Sequence, residues 1–271
     1  MPDGRILFTD LDGTLLTDDR MVSEGNRRAI ADALERGNYI AAATGRAVNS
    51  AKMIMEELGL TLPGCYMIAF NGSVLYDCYE KRILQQETIP VPDVCRLFEA
   101  AHHAGIYIQT YNRNEILTER KTKELDYYAE MSGLTYRLMP DLGHETLKEA
   151  YKVLLIYQNG REVLEAFQKE NEHWAKERLN SFFSSSEFLE YTPAGVSKGS
   201  AVRNLCQYLG IPLEHAVAVG DEWNDISMIQ AAGIGAAVKN AVDAVKEAAD
   251  YVTQRDHNLD AVAEVIDRFL L

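Results

Sequence analysis

The sequence predicts an α/β protein in which a parallel sheet is interrupted by an inserted α+β module. Three observations carry this reading. Continuous apolar runs of strand length alternate with helical stretches at the start of the chain, as parallel strands buried on both faces require. The same βα rhythm resumes near Ser197, and between them the texture changes to short strands of mixed polarity. The expected division is a core made of residues 1–82 plus 190–271, with an inserted module over 83–189.

The first strand is Ile6–Asp10. A helix follows from about Ser23, a suitable N-cap, to Arg36, with Gly37 as its stop. A strand at Tyr39–Ala43 runs into Thr44-Gly45-Arg46, a helix covers Val48–Leu58, and a third strand, Tyr66–Phe70, ends at Asn71-Gly72. In the module, strands are expected at Ile106–Tyr111, Ile116–Thr118, Val153–Tyr157 and Phe188–Tyr191. Helices are expected at Asp93–Ala104, Lys121–Met131 and Glu162–Trp174. The polarity of Gln109, Thr110 and Tyr111 suggests a sheet with one covered face and one free face. The core then continues with helix Lys198–Leu209, strand Ala216–Val219 leading to Gly220-Asp221, helix Asn224–Ala232, strand Gly235–Val238, and helices over Val242–Ala249 and Leu259–Leu271.

Charge narrows the partners. The 271 residues carry 27 basic and 41 acidic side chains, a net charge of −14, which disfavours nucleic acid and anionic membranes. No apolar run reaches the ~20 residues that span a bilayer. The start, Met1-Pro2-Asp3-Gly4-Arg5, leads into the first strand without an apolar secretory stretch, so a cytoplasmic location is expected. Cys65, Cys78, Cys95 and Cys206 show no paired spacing and read as thiols of a reducing compartment. The six histidines lack ligand spacing, which argues against zinc.

The chemistry gathers at strand ends, where ligands bind in open parallel sheets. Asp10 and Asp12 follow the first strand, and their repulsion calls for a cation, a proton or a substrate. Gly13 lets the chain turn away. Thr44-Gly45 is either a plain turn or a hydroxyl and an open N–H for phosphate oxygens. Lys198, at a helix start, opposes the helix dipole; between Gly195 and Gly199 it reads as functional rather than as a solvated surface lysine. Asp221, Asn224 and Asp225 could be ordinary caps, but a carboxylate directly after a buried strand is costly without compensation. With Asp10 and the main-chain carbonyl of Asp12, Asp221 offers an all-oxygen site suited to Mg²⁺. Asp10 at ~4 Å from a phosphate dianion meets roughly 8 kcal/mol of repulsion at an effective dielectric of ~20. Lys198 offsets about half of this, and a divalent ion can remove the rest.

Four motifs stand in order: Asp10-Leu11-Asp12-Gly13-Thr14, Thr44-Gly45-Arg46, Lys198-Gly199, and Gly220-Asp221-Glu222-Trp223-Asn224-Asp225. Together they resemble the haloacid-dehalogenase superfamily of phosphatases, in particular its Cof-like subgroup with a large α+β cap. The resemblance spans essentially the whole chain. Asn71-Gly72 and the tail from Lys239 to Thr253 also resemble the subgroup. Val238-Lys239-Asn240-Ala241 stands where Met-Gly-Asn-Ala is usual, and Asp260-Ala261 where Asp-Gly is usual. These departures bear on local packing and loop shape.

The resemblance implies a Rossmann-like core with an inserted cap. Its activity would be Mg²⁺-dependent hydrolysis of a small phosphorylated metabolite, with sugar phosphates the first expectation. Asp10 would form an aspartyl-phosphate, and Asp12 would protonate the leaving group and then activate water. Asp10, the carbonyl of Asp12, and Asp221 would hold Mg²⁺, with Asp225 directly or through water. Thr44, Lys198, Asn224 and the backbone around Leu11 and Gly45 would hold the phosphoryl oxygens. Arg46, Asn71 and Gly72 are candidate substrate contacts, as are Tyr111, Arg113 and Asn114 of the cap. A phosphosugar mutase on the same fold and a non-catalytic phosphosugar sensor are the alternatives.

Overall fold

A computed structural model describes residues 4–140, 142 and 147–271; Met1-Pro2-Asp3, part of the expected leaderless start, lie outside the described residues. The chain forms two compact units. One comprises residues 4–45, Ala51–Gln85 and Ser197–Leu271; the other comprises Arg46–Ser50 and Gln86–Val196.

The first unit begins with β1 (Ile6–Thr9), α1 (Glu24–Glu35), β2 (Tyr39–Ala43), α2 (Val48–Glu57) and β3 (Cys65–Ala69). An antiparallel extension follows, β4 (Val74–Asp77) and β5 (Arg82–Gln86), which the sequence reading did not anticipate. In the second unit come α3 (Val91–Ala104), β6 (Tyr107–Tyr111), β7 (Ile116–Thr118), α4 (Lys123–Ser132), β8 (Tyr136–Leu138), β9 (Val153–Ile156), α5 (Arg161–Ala175), β10 (Leu179–Ser185) and β11 (Phe188–Pro193). The first unit resumes with α6 (Lys198–Leu209), β12 (Ala216–Gly220), α7 (Ile226–Ala231), β13 (Ile234–Ala237), α8 (Asp243–Ala248), β14 (Tyr251–Val252) and α9 (Ala261–Phe269).

Among the described residues the first unit carries an eight-stranded sheet in the order β14-β13-β12-β1-β2-β3-β4-β5. β1 lies between β12 and β2, parallel to both, with Thr9 opposite Val219 and Ala42. β4 runs antiparallel to β3, with Ala69 opposite Val74. Alternation along the strands sends Ile6, Phe8, Ala41, Ala43 and Ala218 to one face, where Val202 and Leu205 of α6 and Met228 of α7 cover them. Burying a side chain such as Phe8 or Leu205 stabilises by roughly 1.5–3 kcal/mol. On the other side α1 packs with α9, and the buried Asn26 side chain accepts from the backbone of Ala263 at 2.8 Å. Ser23 caps α1 as expected, accepting from the N–H of Asn26.

Among its described residues the second unit has a six-stranded sheet, β10-β11-β9-β6-β7-β8. One face carries Ile108, Val153, Leu155, Leu189 and Tyr191 against Leu97 and Phe98 of α3 and Leu164 and Phe167 of α5. The expectation of a free second face is not met. Its polar residues are buried and answer one another. Gln109 is hydrogen-bonded to the hydroxyls of Tyr107, at 2.9 Å, and Tyr111. Lys152 and Glu190, 2% and 5% exposed, form an ion pair at 3.2 Å, with the Lys152 ammonium 4.9 Å from the centre of the Tyr111 ring. Tyr128 of α4 sets its ring edge-on to Tyr111 and Phe188. Burial works against the charge of Lys152, but Glu190 overcomes it and holds the ammonium above the ordinary lysine range. The polarity of these strands therefore marks an internal network.

A buried ion pair is costly to break from one side, because the survivor keeps its charge without a partner. Glu190→Gln is expected to destabilise the protein by about 3–5 kcal/mol. Replacing Lys152 and Glu190 together with Met and Leu should cost far less. Denaturant titration of the three variants checks this, and equal losses in all of them would refute it.

No helix among the described residues is long and apolar enough to cross a membrane. All four cysteines are free, and burial pushes the thiols of Cys65 and Cys206 up to about 11 and that of Cys78 to about 12.

Candidate active site

Parallel pairing of β1 with β12 brings Asp10 and Asp221 out at the same end of the sheet. Asp10 continues the ladder by one bond, donating from its N–H to the carbonyl of Val219 at 3.0 Å. α6 then delivers Lys198, whose Nζ donates to Asp10 Oδ1 at 2.6 Å and to Asp225 Oδ1 at 2.5 Å. Residues separated by 188 and 27 positions thus meet at one ammonium. Carboxylate oxygens of Asp10, Asp221 and Asp225 all lie within 4.8 Å of one another.

Two glycines explain how a lysine at the first position of a helix reaches so deep. Gly72 has φ of +113°, and a Cβ there would overlap the carbonyl oxygen of Ser197. A Cβ on Gly199 would overlap the backbone of Ser227. The start of α6 is therefore seated directly on the main chain from both sides, and Lys198 is only 1% exposed. Ser197 and Ser200 close the N-terminus with a reciprocal capping box. The unfavourable meeting of a cation with the helix dipole, a few tenths of a kcal/mol to ~1, is outweighed by two carboxylates in contact.

Thr44, Gly45, Asn71 and Asn224 form a second group within the first unit. Thr44 follows β2, is 2% exposed, and its backbone bonds Ile68 and Asn71. Asn71, in the left-handed region at φ 55°, packs against Gly45 and accepts from Asn224 Nδ2 at 3.0 Å. The side chain of Leu11 is buried in the core, and its carbonyl accepts from Leu15 and Leu16. Asp12 is exposed. Arg46 groups with the second unit, where Nη1 donates to Ser50 Oγ at 3.4 Å. Of the other candidate substrate contacts in that unit, Tyr111 is fully buried, while Arg113 bonds Tyr151, Gln86 and Glu149, and Asn114 accepts from Asn49.

Two roles were not legible in the motifs. Thr14 Oγ1 donates to Asp221 Oδ1 at 2.6 Å, tying the loop after β1 to the end of β12. Asp225 is nearly saturated: Oδ1 accepts from Lys198, and Oδ2 from the N–H groups of Asp221 and Glu222 at 2.9 and 3.0 Å. A carboxylate has about four lone-pair sites, so Asp225 organises its neighbours first and has little capacity left for a metal.

The electrostatics describe a centre short of positive charge. Burial raises the Asp10 carboxyl well above its ordinary range, Lys198 pulls it down, and Asp225, Asp221 and Asp12 push it up. Burial likewise carries Asp221 up to about 7, against the hydrogen bond from Thr14. Three carboxylates against one ammonium leave two negative charges when all are ionised. The donors are all hard oxygens, the ligand type a small divalent cation takes. The donor set fits a small divalent cation.

The raised Asp221 carboxyl makes a stability prediction. Its contribution is fully present below the ordinary value of 3.8 and is lost as pH rises to about 7. Metal-free protein is therefore expected to lose up to about 4 kcal/mol from this group across that interval. Asp221→Asn should remove the loss. Stability of the two proteins in chelator, compared between about pH 5 and pH 8, should diverge in favour of the variant; parallel curves would contradict the assignment.

Residues 7–266 match the family described as haloacid dehalogenase-like hydrolase. The chain is 29% identical over 280 residues to a 5-amino-6-(5-phospho-D-ribitylamino)uracil phosphatase of Bacillus subtilis, covering 99% of this chain and 97% of that protein. It is 29% identical over 276 residues to a pyridoxal phosphate phosphatase of Escherichia coli, covering 98% and 99%. A solved haloacid dehalogenase-like hydrolase from Bacteroides thetaiotaomicron shares the fold with a TM-score of 0.87 at 29% identity, covering 98% of this chain and 99% of that one. With its strand-end carboxylates gathered about a buried lysine, the chain belongs to the haloacid dehalogenase-like hydrolases, and it is a phosphatase.

Proposed function

We propose that the chain is a Mg²⁺-dependent phosphatase of small phosphorylated metabolites, working through an aspartyl-phosphate on Asp10. The observation that carries this is the Lys198 ammonium in contact with Asp10 and Asp225, beside Asp221 at the end of the neighbouring strand. Asp10, Asp221 and the main-chain carbonyl of Asp12 would hold the ion, with Asp225 fixed by Lys198 and by the backbone of Asp221 and Glu222. The bound ion supplies charge neutralisation between a carboxylate nucleophile and an anionic phosphoryl group.

The chain's own residues do the rest. Asp10 attacks phosphorus, and the bond to the leaving oxygen breaks. Asp12, exposed where a substrate can reach it, donates the proton that the departing alkoxide needs. It then takes a proton from the water that hydrolyses the acyl phosphate, returning Asp10 and releasing inorganic phosphate. Lys198, the Thr44 hydroxyl, Asn224 and the N–H groups around Leu11 and Gly45 hold the transferring oxygens. Asn71 supports this cradle by fixing Asn224 and packing on Gly45. The second unit serves as the cap of the family.

The named relatives act on a phosphorylated ribityl compound and on pyridoxal phosphate, which supports a small phosphorylated metabolite as the substrate class. They are hydrolases, and nothing in them favours a mutase or a sensor. We place sugar phosphates first. A panel of about fifty phosphate monoesters, ranked by kcat/KM with Mg²⁺ and again after chelation, tests the proposal. The expected result is sustained phosphate release on sugar phosphates that chelator abolishes and Mg²⁺ restores. Undiminished release in chelator would overturn the metal requirement, and preference for a non-sugar ester would overturn the placing of sugar phosphates first.

A further inference from the structure

The loop after β1 is held in place by a part of the chain with no role in the phosphate site. It runs from Leu11 to Val22 with bridges pairing Asp12 with Leu16 and Leu16 with Val22. Its tip is a tight hairpin, closed by the N–H of Thr17 on the carbonyl of Met21 at 2.8 Å. The base is fixed by Thr14 on Asp221. The tip, Asp18 to Met21, is exposed and would be expected to sway.

Instead it is gripped from the C-terminal side of the same unit. Asn240 Nδ2 donates to the carbonyl of Gly13 at 2.8 Å, and Asn240 Oδ1 accepts from the N–H of His257 at 3.0 Å. The His257 ring meets Asp18 through Nε2 at 2.9 Å from Oδ1. Asn258 reads Asp18 twice, donating to Oδ2 at 3.1 Å and accepting from its backbone N–H at 3.0 Å. His257 and Asn258 hold the Asp18 carboxyl below the usual carboxylate range.

This arrangement has a cost. The His257 side chain is 14% exposed, and its Nδ1 is buried without a hydrogen-bond partner, a state native structures generally avoid. The bonds gained in exchange lie at the surface, each contributing about 1 kcal/mol or less. They contribute little to the fold, but they remove the freedom of one loop. Asp12 sits one residue before the Gly13 anchor and two before the base at Thr14, and it bridges to Leu16.

We propose that Asp18, Asn240, His257 and Asn258 form a clasp that positions the Asp12 carboxylate for leaving-group protonation. They are positioning residues, acting through Asp12. The inference rests on the acid–base role proposed for Asp12.

The test compares two leaving groups in Mg²⁺-loaded enzyme: p-nitrophenyl phosphate, whose phenolate departs without a proton, and the fastest sugar phosphate of the panel, whose alkoxide needs one. In His257→Ala and Asn240→Ala, kcat/KM, which reports the steps up to phosphoenzyme formation and leaves out the hydrolysis common to both esters, should fall about tenfold further on the sugar phosphate than on p-nitrophenyl phosphate, because misplacing a catalytic group is costly. The melting temperature should stay close to that of the parent. His257→Gln, which can donate to Asp18 from its amide, should recover much of the loss. In an Asp12→Ala background His257→Ala should do nothing further. Equal losses on both esters, or none on either, would overturn the clasp. If Asp12→Ala itself showed no preference between the esters, the acid–base role would fall and the clasp's function with it. A preference in Asp12→Ala without one in the clasp variants would remove the clasp alone.

Discussion

Asp10→Asn is expected to abolish steady phosphate release, with a loss of roughly four to six orders of magnitude in kcat, as when the nucleophile of a covalent mechanism is removed. The side chain is nearly isosteric, and Lys198 keeps its second partner, Asp225, so folding should survive. The variant also removes one of three crowded carboxylates, so metal-free protein should lose no stability. Rapid quenching with labelled substrate should trap phosphoenzyme in the parent and none in the variant. Near-normal release by Asp10→Asn would end the assignment of Asp10 as nucleophile.

The second large effect is expected at Lys198. Lys198→Met leaves Asp10 and Asp225 buried without their shared cation, and one-sided loss of a buried ion pair costs about 3–5 kcal/mol. Burial works against the lysine's charge, yet Asp10 and Asp225 together hold the ammonium above the ordinary range, as a cation bound from two sides should be. Turnover should fall as well, because the same ammonium is proposed to meet the transferring oxygens. Adding Asp225→Asn to Lys198→Met should recover part of the stability and none of the activity. Urea titrations of the single and double variants in chelator, alongside kcat, separate the two effects. A double variant no more stable than the single one would show that the charge balance has been misassigned.

The strands that matter most were legible because they are short unbroken apolar runs, and each ends in a residue type that a core does not tolerate without a partner. Asp10, Thr44 and Asp221 stood out for that reason, and the core strands fall within a residue of their expected bounds. β4, β5, β8, β10 and β14 were missed. Arg82–Gln86 shows no clean alternation, and Tyr136–Leu138 alternates over only three residues, so their strand character comes from neighbours rather than from local pattern. The polar residues of the second unit were seen but misread. Gln109 is satisfied along its own strand by Tyr107 and Tyr111, whereas Lys152 is satisfied by Glu190, 38 positions away, a pairing no local pattern shows. Asp225 posed the same difficulty. The resemblance put it at the ion directly or through water, and its contact with Lys198 is a tertiary fact. The clasp escaped for a like reason, since Asp18 and His257 are 239 positions apart.

The place of β1 in the middle of its sheet has a consequence for biosynthesis. One of its two flanking strands, β12, begins only at Ala216, so a nascent chain carries the apolar segment Ile6–Thr9 with a bare hydrogen-bonding edge until most of the polypeptide has left the ribosome. Such an edge can recruit other strands. Chains released before residue 216 would lack the Asp221 and Asp225 end of the site and would leave the β1 edge open to pairing with other strands.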